Sequence, residues 1–123
     1  FLVALPNTCY IANLMLANNI CDLEEDENNK RYTLVHYLGK ASSLKLFVGL
    51  NTIAMLAILL AVGLGLTPPT MLLMLLTLPF VRKQTQALLK EQVKSKTFVC
   101  AVKILAVGAT AQVLFFAIGL WWL

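Results

Sequence analysis

The chain has 123 residues and a formal charge of +4, with 59% hydrophobic and 13% charged residues. So apolar a composition excludes an ordinary soluble domain of this length and points to an all-α membrane protein. The basic excess is accounted for by topology and by attraction to anionic membrane lipid. With no aromatic-basic surface motif, nucleic acid is not expected as a partner.

The apolar residues gather into four runs, which predict transmembrane helices at about 1–21, 44–66, 68–82 and 99–123, joined by charged loops at 22–43 and 83–98. About 20 helical residues, at ~1.5 Å each, cross a ~30 Å hydrocarbon core. The third run is short, but Arg82 and Lys83 follow it, and their stems can reach the interface. In the first run a rotation of ~100° per residue puts Asn7, Thr8, Asn18, Asp22, Glu25 and Asp26 on one broad stripe, with Asn13 and Glu24 opposite. Asn7 and Asn13 are read as residues that join helices through hydrogen bonds.

Asp22-Leu23-Glu24-Glu25-Asp26 then sets carboxylates at the membrane edge. On a helix, Asp22 and Asp26 stand one turn apart on the same face, where like charges repel and a divalent cation would relieve them. Segment 33–40, with Leu34, Val35, Tyr37 and Leu38 around a lone loop His36, is expected to form a short cap. In the second span the small residues Gly49, Ala54, Ala57, Ala61 and Gly63 predict close helix packing. Thr67 is expected to cap the third helix with Pro68 at its first position, and Pro79 to kink or end it near Phe80.

Residues 84–96 show the amphipathic pattern of a surface helix. Lys103 is expected to snorkel, and Trp121 and Trp122 to lie at an interface. Lys30, Arg31, Lys40 and Lys45 lie in one loop, and Arg82, Lys83, Lys90, Lys94 and Lys96 in the other. With four spans both loops are cytoplasmic, and the acidic cluster with them. Cys9, Cys21 and Cys100 have no metal-ligand spacing and are read as reduced thiols.

An EF-hand loop beginning at Asp22 would need glycine where Glu27 stands and glutamate where Thr33 stands. Zinc is disfavoured because His36 has no suitably spaced partner. Mg2+ commonly takes one or two carboxylates, with water and substrate phosphates filling its remaining positions. Asp22 and Asp26 are therefore the candidate metal ligands and catalytic residues. Lys30 and Arg31 are the candidate diphosphate contacts, and Asn18, Asn19 and Glu24 are supporting residues.

The run Leu16-Ala17-Asn18-Asn19-Ile20-Cys21-Asp22-Leu23-Glu24-Glu25-Asp26, followed by Thr33-Leu34 and Leu38-Gly39-Lys40, resembles the second aspartate-rich motif of the UbiA superfamily of aromatic prenyltransferases. It is most similar to the 1,4-dihydroxy-2-naphthoate polyprenyltransferase branch of menaquinone biosynthesis. That branch typically carries arginine, glycine and lysine where this chain has Cys21, Lys30 and Arg31. The resemblance implies the C-terminal part of a nine-helix bundle in a bacterial cell membrane, with the missing N-terminal half supplying a second aspartate motif. It also implies Mg2+-dependent transfer of a polyprenyl group from its diphosphate to an aromatic acceptor.

Phe1 at the first position, with no basic leader, adds to the expectation of a piece of a longer protein, inactive alone. Two alternatives remain open at this point. One is an enzyme of the same superfamily with another aromatic acceptor; the other is a non-catalytic four-span membrane protein whose acidic loop binds a cation or a partner.

Overall fold

The computed structural model describes residues 1–122, whose regular elements are all helical. In chain order they are α1 (Leu5–Cys21), α2 (Leu23–Asn28), α3 (Leu34–Leu38), α4 (Lys40–Gly63), a 3-10 helix (Pro69–Thr77), α5 (Leu78–Lys90) and α6 (Phe98–Trp122). Two of them, α4 and α6, are long and apolar enough to cross a membrane. The last residue of the fourth expected span, Leu123, lies outside the described residues.

Helix α1 is central, packing chiefly on α4 and then on α6, while α6 also packs along the 3-10 helix and α5. One apolar core joins Tyr10, Leu16, Ala17 and Ile20 of α1 to Phe47 and Ala54 of α4, Val81 and Leu88 of α5, and Ile104 of α6. A smaller one holds Met55 and Ile58 of α4 against Met71 and Met74 of the 3-10 helix. Polar side chains also connect the helices. Asn13 Nδ2 donates to Phe47 O at 3.0 Å and to Asn51 Oδ1 at 2.9 Å, and Asn51 Nδ2 donates to Thr85 Oγ1 at 3.1 Å. Three helices thus share one chain of buried hydrogen bonds, of the type that replaces water inside apolar bundles.

The third expected span takes an unexpected form. Thr67 does not cap it: Pro68 occupies the cap position with extended backbone at φ −59° and ψ 148°. The reason is Pro69, whose ring disfavours a helical conformation in the residue before it. Nine residues of 3-10 helix follow, far more than the usual three or four. At 3.0 residues per turn, every third side chain falls on one line. Met71, Met74 and Thr77 form that buried line.

The 3-10 helix ends at Thr77, two residues before Pro79, and Pro79 lies in the first turn of α5, where proline is tolerated. Helix α5 continues directly through the expected surface segment but stops at Lys90, short of Lys96.

Close packing falls on only some of the residues expected. Ala54, Ala57 and Ala61 are buried, whereas a Cβ on Gly49 or Gly63 would meet nothing within 4 Å. The glycines that admit a neighbour are in α6. A Cβ on Gly108 would lie 2.6 Å from Tyr10 Cε2, and one on Gly119 would run into Pro68 and the Thr70 hydroxyl. Gly119→Ala should therefore destabilise the fold by about 1–3 kcal/mol through overpacking. Gly49→Ala should be neutral or stabilising by up to ~1 kcal/mol. Thermal unfolding of both variants in the same detergent checks the contrast.

Candidate functional site

The acidic segment begins where α1 ends. Asp22 leaves helical geometry at φ −96° and ψ 6° and separates α1 from α2. The hydrogen-bond ladder nevertheless crosses the junction: Asp22 N donates to Asn18 O at 3.0 Å, and Asp26 N donates to Asp22 O at 2.8 Å. Asp22 and Asp26 therefore remain one helical turn apart despite the irregularity between them.

Their surroundings differ. Lys94, from the loop between α5 and α6, donates from Nζ to Asp22 Oδ2 at 2.7 Å, with the Asp22 side chain 14% exposed and that of Lys94 54% exposed. This hydrogen bond is the main cause that raises the Lys94 pKa above its ordinary value, and the charges of Asp22, Glu25 and Asp26 act in the same direction. Asp26 is 9% exposed. Its carboxylate has no hydrogen bond or ion pair with any described residue.

The other candidate residues are not gathered around these two. Asn18 and Asn19 are half-buried just before the junction. Glu24 is exposed and lines a separate open hollow of about 540 Å3 with Cys21, Glu25, Asn28 and Asn29. Lys30 and Arg31 are exposed, and neither forms an ion pair with a described carboxylate.

Position 30 is conformationally distinctive. Helix α2 ends with Lys30 N bonded to Glu27 O at 3.0 Å and Arg31 N to Asp26 O at 2.7 Å, and Lys30 has φ 57°. These paired bonds form a Schellman motif, which ordinarily places glycine at the left-handed residue. Lys30 is the one non-glycine residue with positive φ among those described.

Within segment 33–40, residues Leu34–Leu38 form α3, which packs against α1, α2 and α4 and is anchored by fully buried Val35, while Lys40 begins α4. His36 is a helical residue rather than a loop residue. Its Nδ1 lies 2.8 Å from Glu27 Oε1, and its ring is 4.6 Å from that of Tyr32. The histidine thus has a local partner in α2.

A more apolar groove lies elsewhere. About 440 Å3 in volume, it opens between α4 and α5 over Tyr10, with Met55, Leu56, Leu78 and Val81 in its walls and Arg82 at its edge. None of its lining residues belongs to the acidic segment.

No group of three or more His, Cys, Asp and Glu side chains is placed to hold a metal ion among the described residues. Mg2+ is a cation that takes few protein ligands when phosphate and water complete its shell. Asp26, a largely covered residue whose carboxylate oxygens still reach solvent and have no partner among the described residues, is the feature that fits such an ion. Lys94 is the residue that the sequence reading missed. The count of basic residues puts it on the same side as Asp22, but nothing local signals a pair separated by 72 positions.

Protein-family models, curated proteins and solved structures provide no match to this chain.

Two predictions follow from the geometry of this segment. Lys30→Gly should raise stability by about 1 kcal/mol by relieving a left-handed side-chain residue, measurable by chemical unfolding. Lys94→Met should lower the thermal midpoint at neutral pH. Because the folded Lys94 pKa is raised from 10.5, the ion pair contributes fully below that ordinary value and fades as pH rises through the raised one. The gap between variant and wild type should therefore close in strongly alkaline buffer. A constant gap would mean that Lys94 stabilises through its aliphatic stem instead.

Proposed function

We propose that this chain is the C-terminal part of a UbiA-type integral membrane prenyltransferase. Its reaction moves a polyprenyl group from the diphosphate to an aromatic acceptor, 1,4-dihydroxy-2-naphthoate by the motif's likeness, giving demethylmenaquinone. The observation that carries this reading is the pair of carboxylates one turn apart at the end of an apolar helix, with Asp26 buried and without a protein partner. Two carboxylates one helical turn apart repel each other. A cation that accompanies the substrate would offset that repulsion.

Position 30 adds a second line of support. The related motif has glycine there, and the backbone of this chain adopts at Lys30 the left-handed conformation that favours glycine. The family's residue choice thus suits the local geometry even though this chain departs from it.

In this reading four segments cross the membrane: α1, α4, the rod made of the 3-10 helix with α5, and α6. The nine residues of 3-10 helix rise ~2.0 Å each, and the thirteen of α5 rise ~1.5 Å each. The rod is therefore about 38 Å long, enough for a ~30 Å core. The acidic turn and the loop between α5 and α6 lie on the cytoplasmic side with most of the basic residues. The apolar groove over Tyr10 offers room for part of a polyprenyl tail.

Asp22 and Asp26 hold Mg2+ with the diphosphate, and Lys30 and Arg31 contact phosphate oxygens once the anion is present. Bound Mg2+ supplies Lewis-acid withdrawal of charge from the leaving diphosphate. Asn18 and Asn19 flank the carboxylates, and α3 covers the turn and limits access of water to the reacting carbon. The missing half of the site is expected in the N-terminal half of the longer enzyme.

In the complete enzyme, Asp22→Asn and Asp26→Asn should each reduce prenyl transfer by roughly 100-fold or more, the scale of losing a group that stabilises developing charge. Both variants should still insert into membranes. Turnover assayed with a polyprenyl diphosphate, Mg2+ and competing aromatic acceptors tests both the site and the acceptor. Wild-type rates in both variants would overturn the metal assignment.

A further inference from the structure

Lys94 has no role in the reading given above, yet it makes the closest charged contact in the acidic turn. Its ammonium sits 2.7 Å from Asp22 Oδ2, in the position a cation would take at that carboxylate. The other acid of the pair, Asp26, is a largely covered residue whose carboxylate oxygens reach solvent and have no described partner. One of the two acids is therefore neutralised from within the chain, and the other is not.

Lys94 is also held on a compact platform. Val93 N donates to Thr97 Oγ1 at 2.9 Å, and Thr97 N donates to Val93 O at 2.7 Å, closing the turn that carries it. Beyond that turn the lysine stem is flexible and its ammonium half exposed. The loop can stay in place while the head group changes partner.

We propose that Lys94 is an exchangeable counter-ion: it neutralises Asp22 in the unliganded protein, yields that carboxylate to an incoming divalent cation, and then contacts the diphosphate that accompanies the cation. The inference rests on the cation-diphosphate reading of Asp22 and Asp26 and adds to it a third basic contact, from a different loop than Lys30 and Arg31. Asp22 faces a cation at each stage, and once the diphosphate is bound the released ammonium faces an anion rather than bare solvent. A lysine that served only to pin the loop would instead stay on Asp22 whatever was bound.

The test follows Lys94 in the complete wild-type enzyme by pulse acylation with an amine-reactive ester, mapped by mass spectrometry, with Lys96 as internal control. Lys96 is exposed and 3.7 Å from Glu91, away from the paired aspartates. Mn2+ alone should speed Lys94 acylation by roughly 2- to 5-fold, the scale expected for release from a partly exposed ion pair. Mn2+ with inorganic diphosphate should slow it again, and Lys96 should not respond to either.

Equilibrium binding to Lys94→Met supplies an independent readout. The variant should bind Mn2+ alone more tightly by a similar factor, yet bind diphosphate in the presence of Mn2+ more weakly. Lys94→Arg should restore diphosphate binding. If wild type binds Mn2+ and diphosphate at Asp22 and Asp26 while Lys94 acylation stays constant, the exchange is refuted and the parent reading stands. If wild type binds neither, both fall. A variant that tightens both ligands would make Lys94 a simple blocker and would also overturn the proposal.

Discussion

Charge compensation at the end of an apolar bundle is the constraint on which this structure turns. Asp22 lies mostly covered where α1 ends, so it needs a cation, and the chain supplies one from 72 residues away. Meeting that need fixes the loop between α5 and α6 against the α1–α2 junction. This brings the first helix and the last two into one corner. Deeper in the bundle, the Asn13–Asn51–Thr85 bonds do the same for α1, α4 and α5. Both devices answer one requirement: polar groups withdrawn from water must find partners within the protein.

The 3-10 helix shows how packing can select a backbone. Met71-Leu72-Leu73-Met74-Leu75-Leu76-Thr77 has a period of three, which suits 3.0 residues per turn better than 3.6. In an α-helix, positions 71, 74 and 77 would drift around the cylinder by ~60° per step. In the 3-10 form they stay in line, and Met71 and Met74 fill the space beside Met55 and Ile58 while leucines face outward. Thr77 seals the line by donating from Oγ1 to Met74 O at 2.7 Å. Methionine suits this contact because its flexible thioether fills irregular gaps.

What could be read from the sequence was local or periodic. The one-turn spacing of Asp22 and Asp26 survives because a single backbone bond maintains it. The apolar runs that became α4 and α6 were legible for the same reason, since length and composition define them. The Lys94 contact was not legible because it depends on how α5 and α6 meet. Glycine positions illustrate the same limit. Gly49 looked suited to close packing but faces open space, whereas Gly108 and Gly119 are required by Tyr10 and Pro68, residues remote in sequence. The cap at Thr67 failed for a local reason: the second of two successive prolines moved the helix start by one residue.

Lys30 connects local conformation to function. A helix that ends in a Schellman motif favours glycine at the left-handed position, because any Cβ there raises the energy. Folding alone would therefore favour glycine, and this chain carries lysine at φ 57° immediately after the acidic helix. Strained side-chain residues persist where the surrounding structure over-determines them, and such positions cluster at ligand sites. The lysine gives this turn something that glycine lacks: an exposed cation at the end of the acidic helix, presented from a backbone whose hydrogen bonds hold the segment in place. Stability and charge thus pull in opposite directions at one position. An anion handled at this turn would account for the retained strain, because its binding would draw on the ammonium while the fold bears the conformational cost.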